Sequence, residues 1–340
     1  MVQKTISKRR TIKDVGHLAG VSPATVSKAF NQPDLVAEAT RAKVLDAASE
    51  LGYRPNRAAR GLVGRRSYLV GYRLPSVGAW GNPTLDAFLH AMVDAAGEHG
   101  LEMVLSGSGD GGPLDAYESM VQAGSVDGFV LTDLDYGDVR VEFLARAGIP
   151  FVAFGRSYGQ AAFPWVDVDG AAGTAAAVRH LRDEGHDRIG VIGWPEGSGT
   201  GDDRVRGAFE AAMTLGLPAP MVARAENTID GGAEAFAELM AVPEPPTGIV
   251  AVQDLLALGA HRAATARDLR IGSDVGIVGF DDNPFASVVD PALSSVRQPF
   301  AEVGQRLVHK LVSVLDGTDG GSGELVVPEL VVRDSSRRTQ

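Results

Sequence analysis

The 340-residue chain contains no cysteine. That excludes disulfides, thiolate nucleophiles and cysteine-ligated zinc or iron–sulfur sites, and it fits a reducing compartment. Long apolar runs are missing too; none reaches the ~20 residues that span a bilayer. The start, Met1-Val2-Gln3-Lys4-Thr5-Ile6-Ser7-Lys8-Arg9-Arg10, is basic and has no apolar signal core behind it, so a cytoplasmic location is expected. The seven histidines are scattered, without His-Glu-x-x-His or a comparable metal spacing. The run Gly197-Ser198-Gly199-Thr200-Gly201 lacks the Gly-Lys-Ser/Thr of a phosphate loop, and Gly107 to Gly112 lacks the dinucleotide fingerprint. Both are expected as flexible loops at a cleft mouth or surface. No metal, cofactor or enzymatic activity is expected.

What the chain does have is a charge asymmetry. Residues 1–66 hold thirteen basic and five acidic side chains, a net +8, on a chain whose total is −11; the remainder therefore carries −19. A basic head on an acidic body is the electrostatic footprint of a nucleic-acid-binding module. The acidic body is repelled by phosphate, which confines contact to the head.

Residues 11–30 read as two short helices around a glycine turn. Ile12, Val15, Leu18 and Ala19 fall on one face at helical spacing. Gly20 supplies the turn, Ser22 is a good N-cap, and Pro23 suits the first helical position. Val26 and Ala29 face the first helix, leaving Thr25, Ser27 and Lys28 outward. Such a helix-turn-helix places its second helix in the DNA major groove. A third helix is expected from Ala37 to Leu51, buried through Val44, Ala47, Ala48 and Leu51 and stopped by Gly52. A short glycine-weakened segment from Pro55 reads either as a flexible basic linker or as a segment that folds only when a partner holds it.

From Ser67 the pattern becomes strands alternating with helices, the signature of parallel βαβ units. Expected strands are residues 68–73, 102–106, 128–131, 151–154, 188–192, 219–223, 248–251 and 275–279. Two successive sets, split near residues 165–170, predict two doubly wound lobes with a ligand site at the strand carboxyl ends.

The residues resemble the LacI/GalR family of bacterial transcriptional repressors along essentially the whole chain. The head carries Thr11-Ile12-Lys13-Asp14-Val15, Gly20-Val21-Ser22-Pro23-Ala24-Thr25-Val26-Ser27, Asn31, Thr40-Arg41, Val44 and Leu51-Gly52-Tyr53-Arg54-Pro55-Asn56. The body carries Gly185-His186-Asp187-Arg188-Ile189, Arg204-Val205-Arg206-Gly207, Val278-Gly279-Phe280-Asp281-Asp282 and Val296-Arg297-Gln298-Pro299. Two departures are Gly16, where the family usually has alanine, and Gln253-Asp254, where Asn-Asp is common. Gly16 is expected to loosen the first helix slightly. The stretches Phe163 to Gly170 and Gly81 to His90 are similar to actinobacterial glucoside regulators.

The resemblance implies a small all-α helix-turn-helix head and an α/β two-lobed effector domain like periplasmic sugar-binding proteins. It implies a homodimer on a near-palindromic double-stranded operator, with a hinge helix in the minor groove. The expected divisions are 1–54 for the head and 55–66 for the hinge. Residues 67–167 with 299–323 form the first lobe, and 168–298 with 324–340 the second. No leucine heptad follows, so a dimer is expected rather than a tetramer.

The resemblance also implies roles. Pro23, Ala24 and Lys28 occupy the base-reading positions; Lys28 can reach guanine or phosphate. Thr25 and Ser27 contact phosphate, Asn56 and Arg57 track the backbone, and Leu62 is the minor-groove wedge. Thr11, Ser22, Asn31, Tyr53 and Arg60 complete the DNA-facing set. Arg204 and Asp281 match the effector-binding pair, whose chemistry suits vicinal hydroxyls. Trp194 offers a stacking face. Trp80, Phe88, Tyr136, Arg156, Trp165 and Gln253 are further cleft candidates. The expected effector is a sugar or glycoside, larger than a monosaccharide; a nucleobase is the rival. A transport binding protein and a Rossmann-like enzyme are the competing functions, opposed by the basic head and by the missing phosphate loop.

Overall fold

The computed structural model describes residues 10–53, 66–75, 83–107, 111–156, 162–318, 321 and 323–338. The chain divides into two compact units, residues 1–67 and 68–340.

The first unit contains α1 (Ile12–Ala19), α2 (Pro23–Asn31) and α3 (Glu38–Glu50). Its core is Val15, Val26, Ala29, Val44, Ala47 and Ala48. Gly20 adopts φ 69°, a left-handed conformation that glycine takes without a Cβ penalty. Ser22 caps α2 by accepting from the Thr25 N–H. Leu18 departs from expectation, being 45% exposed. It lies about 100° of helix rotation from the Ile12–Ala19 face, and buried Gly16 takes the inner flank instead. The Val21 N–H bonds the Gly16 carbonyl at 2.9 Å. A Cβ on Gly16 would stand 2.8 Å from the Val21 oxygen. Gly16 therefore lets the turn close tightly, and the expected loosening is not what the packing shows.

The second unit holds two six-stranded sheets. The strands are β1 (Leu69–Arg73), β2 (Glu102–Ser106), β3 (Gly128–Leu131), β4 (Phe151–Phe154), β5 (Trp165–Val168), β6 (Ile189–Gly193), β7 (Met221–Arg224), β8 (Gly248–Ala251), β9 (Gly276–Asp281), β10 (Ser294–Arg297), β11 (Glu324–Val326) and β12 (Glu329–Val331). The helices are α4 (Pro83–Glu98), α5 (Asp115–Gln122), α6 (Val139–Ala147), α7 (Gly170–Asp183), α8 (Gly199–Thr214), α9 (Ile229–Leu239), α10 (Asp254–Thr265) and α11 (Phe300–Leu315). The sheet orders are β11-β5-β4-β3-β1-β2 and β12-β10-β9-β8-β6-β7. All pairings are parallel except β10 with β12. Central strands β3, β8 and β9 are buried throughout, because helices cover both faces of a parallel sheet and leave no polar side.

The chain crosses between sheets after Val168, again after Arg297, and last between Val326 and Glu329. The last crossing falls later than the expected division at 323/324. Glu324–Val326 pairs with Val166–Val168 in the first sheet, and Lys310 Nζ holds Glu324 at 2.7 Å. The glycine run at 197–201 is also corrected: Ser198 caps α8, and Gly199 to Gly201 form its first turn.

Candidate nucleic-acid interface and ligand cleft

On α2, Pro23, Ala24 and Lys28 are exposed and Thr25 and Ser27 half-buried. The helix carries no acidic residue, so its outer face does not repel phosphate. The Thr25 hydroxyl is 2.9 Å from that of Ser22 and so serves the cap as well as the surface. Thr11 donates its N–H and hydroxyl to Asp14 at the start of α1. Tyr53 packs its ring 6.2 Å from that of Phe30, closing the head core. Asn31 ends α2. Its side chain, together with Asn56, Arg57, Arg60, Leu62 and Trp80, lies outside the described residues.

In the second unit a cleft of about 540 Å³ opens between the two sheets. Its lining follows the carboxyl ends of β1, β3, β4, β6, β7, β8, β9 and β10, where doubly wound sheets present loops to a ligand. Five expected residues line it: Phe88, Trp194, Arg204, Gln253 and Asp281. Three do not. Tyr136 is 51% exposed outside it. Trp165 packs on the apolar cluster of the first sheet. Arg156 bonds two carboxylates, Asp167 and Asp203.

The second-lobe wall is polar and ordered. Arg204, 5% exposed, donates Nη1 to the Val252 carbonyl at 2.6 Å. Its guanidinium carbon lies 3.7 Å from the centre of the Phe280 ring and 5.4 Å from that of Trp194. The Asp281 carboxylate is 3.8 Å from Arg204 Nη1. It accepts from Gln253 Nε2 at 2.8 Å and Gln298 Nε2 at 2.5 Å.

The turn carrying Asp281 is strained. Asp281 has φ 110° and Asp282 φ 52°, sparsely populated values for non-glycine residues. Buried side chains hold it there: Ser295 Oγ accepts the Asp282 N–H, and Asp254 accepts the Asn283 N–H and the Ser295 hydroxyl. Burial, with Asp281 close by, pushes the Asp254 carboxyl up to about 8.

The first-lobe wall carries an apolar patch beside the carboxylates of Asp133, Asp135 and Asp167. Phe88, Phe154 and Phe300 cluster with ring centres 4.6–6.3 Å apart, beside Leu85 and Leu134. The adjoining Thr132–Asp135 loop is braced from behind, where Arg140 Nη2 donates to the Thr132 and Asp133 carbonyls. Sequence reasoning missed Thr132, Asp133, Asp135, Phe154, Asn227 and Phe300; their one local signal is a place at or just after the carboxyl end of a strand.

Three atoms shielded from solvent at this cleft have no protein partner: Trp194 Nε1, Gln253 Oε1 and Asn227 Oδ1. Unsatisfied polar atoms are costly, about 1–3 kcal/mol each, and these three are free to hydrogen-bond a polar group entering the cleft. Among the lining residues, six carboxylates (Asp133, Asp135, Asp167, Glu196, Glu226 and Asp281) face one guanidinium, Arg204. That balance opposes an anionic ligand. Among the described residues no group of carboxylates and histidines has metal-site geometry, and no helix is long and apolar enough to cross a membrane.

Comparison with known proteins joins the two units. Residues 11–56 match the bacterial regulatory proteins of the lacI family, and residues 178–336 match the periplasmic binding protein-like domain. The HTH-type transcriptional regulator CelR of Thermobifida fusca is 32% identical over 335 residues, covering 96% of this chain and 98% of its own. A solved CelR–cellobiose complex is 31% identical with a TM-score of 0.72, covering 96% of this chain and 100% of its own. A lac repressor dimer bound to operator and the anti-inducer ONPF is 28% identical with a TM-score of 0.82, covering 97% and 100%. With helix-turn-helix head, two-lobed body and similarity over nearly the full length, this chain is a DNA-binding transcriptional regulator and belongs to the LacI family.

Proposed function

We propose that the regulator binds its operator as a homodimer in the cytoplasm, through α2 of each head, and that an uncharged saccharide in the cleft controls it. The observation that carries this reading is the asymmetry of the cleft. An aromatic patch of Phe88, Phe154 and Phe300 on the first lobe, beside Asp133 and Asp135, faces fixed donors and acceptors around Arg204 and Asp281. A sugar ring has the matching form, with apolar faces and hydroxyl edges. The volume, about 540 Å³, lies within the roughly 300–1,000 Å³ of small-molecule sites and leaves room for more than one ring. The acidic rim disfavours sugar phosphates. The cleft is read as a binding site and not a catalytic one, since the Asp281 carboxylate is occupied as an acceptor by two amides.

The effector acts by differential affinity for two lobe arrangements, which changes the affinity for operator by the same coupling free energy. Calorimetry with monosaccharides, disaccharides and purines, on wild type and Arg204→Ala, tests this. Disaccharide binding that is lost in the variant supports the reading. Binding of a purine and of no sugar refutes it.

A further inference from the structure

Arg156 follows β4 of the first sheet, and its guanidinium reaches two carboxylates at once. Nε donates to Asp167 Oδ2 at 2.8 Å, and Nη2 donates to Asp203 Oδ2 at 2.7 Å. Asp167 lies on β5 of the first sheet. Asp203 lies on α8 of the second lobe. One arginine thus joins the lobes by a non-covalent contact beside the first chain crossing, at Val168–Gly170. The side chains of Arg156, Asp167 and Asp203 are only 18%, 8% and 7% exposed. At that burial solvent screens the pair little, so its loss is felt across the lobes even though Asp167 and Arg206 still pair with the remaining partner.

The position of this contact gives it a consequence. Asp203 and Arg204 are consecutive on α8, so their side chains leave the helix about 100° apart. Asp203 turns to the first lobe, and Arg204 turns to the cleft. The segment entering α7 packs against both: a Cβ on Gly170 would lie 2.9 Å from Arg204 Cγ and 3.5 Å from Asp203 Oδ2. The Ala171 N–H also donates to Asp203, and Arg206 donates to it from the outer side. Any ligand that draws Arg204 must therefore move the first turns of α8 together with the carboxylate that holds the other lobe.

We propose that the Arg156–Asp203 pair is an interlobe tie, with Asp203 a positioning residue that makes the angle between lobes follow what Arg204 binds. The proposal rests on the cleft being the effector site for its regulatory meaning. The tie itself is a property of the ligand-free protein. Its charges alternate through space, Asp167, Arg156, Asp203, Arg206 and Glu210 in turn, so each carboxylate and guanidinium has an opposite charge beside it. Packed helices and ion pairs of this kind have discrete arrangements, and a small shift at one end is passed on as a rigid-body step.

The test needs no ligand. The absence of cysteine allows two spin labels to be placed cleanly on the full chain, at Glu118→Cys in the first lobe and Glu234→Cys in the second, both exposed. Pulsed electron resonance then reads the interlobe distance distribution. Asp203→Asn and Arg156→Gln should each shift and broaden that distribution. The double variant should do no more than either alone, because both remove the same contact. Arg262→Gln, which breaks an exposed ion pair with Asp230 inside the second lobe, should leave it unchanged. Thermal midpoints are recorded alongside. A distribution in Asp203→Asn identical to wild type overturns the tie, even if the midpoint falls. So do effects of the two single changes that add in the double variant. Either result leaves the saccharide reading standing, and failure of every saccharide in calorimetry leaves the tie standing.

Discussion

The guanidinium carbon of Arg204 lies 3.7 Å from the centre of the Phe280 ring. The ring supports one face of the cation while Nη1 is anchored on the Val252 carbonyl. A lysine keeps the charge but has neither a planar face to stack nor a forked donor for two hydroxyls. Arg204→Lys is therefore expected to lower effector affinity by about 10- to 100-fold, the equivalent of one charged hydrogen bond of ~1.5–3 kcal/mol. Calorimetry gives the affinity, and an unchanged far-ultraviolet dichroism spectrum shows that the fold persists. An affinity within twofold of wild type would remove Arg204 from the site.

Gly207 and Gly97 make a controlled pair. A Cβ on Gly207 would lie 2.3 Å from the Cα and carbonyl oxygen of Ala171, so α7 and α8 touch there through backbone. A Cβ on Gly97, in α4, meets nothing within 4 Å. Gly207→Ala should destabilise by at least ~1–3 kcal/mol, as overpacking does. Gly97→Ala should stabilise by up to about 1 kcal/mol through helix propensity alone. Urea unfolding of both variants checks the opposite signs.

The elements legible in the sequence were those with local signals. The head carried a glycine turn, a serine cap and helical spacing, and its three helices lie within a residue or so of expectation. Strands β3, β4 and β8 were bounded correctly because fully apolar runs flanked by turn residues have one reading, and β2 was bounded by the polar ends, Glu102 and Ser106, of its apolar Met103–Leu105 run. Helix α9 carries a weak local signal because Gly231 and Gly232 lower its propensity. Gly232 is there because a Cβ would lie 2.3 Å from the Leu256 carbonyl oxygen of the neighbouring helix. Arg204 and Asp281 were found through family resemblance. Asn227 and Phe300 were not, since only the juxtaposition of two sheets brings them to one cleft. Arg156 was misplaced for the converse reason: nothing local tells that two buried carboxylates claim it.

Lys28 gives the sharpest test of the head. It is the basic side chain on α2, and it is exposed. Lys28→Ala should weaken operator binding in electrophoretic shift assays. If Lys28 reads a base, the loss is about 1–3 kcal/mol and specificity at one position relaxes. If it meets phosphate, affinity falls for all sequences and the salt slope drops by about one. No change in affinity or slope would take α2 out of the interface.

The last prediction concerns pH and follows from buried groups of opposite sign. His180, His186 and His261 all have their pKa lowered from 6.5, chiefly by burial. Below about pH 6.5 the unfolded chain takes up protons that the folded chain refuses, so stability falls as pH falls through that value. Asp254 works the other way. Its carboxyl is raised from 3.8 to about 8 by burial first and by Asp281 second. From about pH 4 to 8 the folded chain holds a proton that the unfolded chain releases, so this group's contribution is lost as pH rises, by about 1.4 kcal/mol per unit. Burial also raises the Asp133, Asp135 and Asp167 carboxyls from 3.8, so on the acid side they act with Asp254 against the histidines, while towards pH 8 Asp254, raised to about 8, sets the slope. The thermal midpoint should therefore decline from neutrality towards pH 8 as Asp254 loses its proton in the folded chain. In Asp254→Asn that decline should flatten. A variant that keeps the same slope between neutrality and pH 8 would show that Asp254 does not hold its proton in the folded protein.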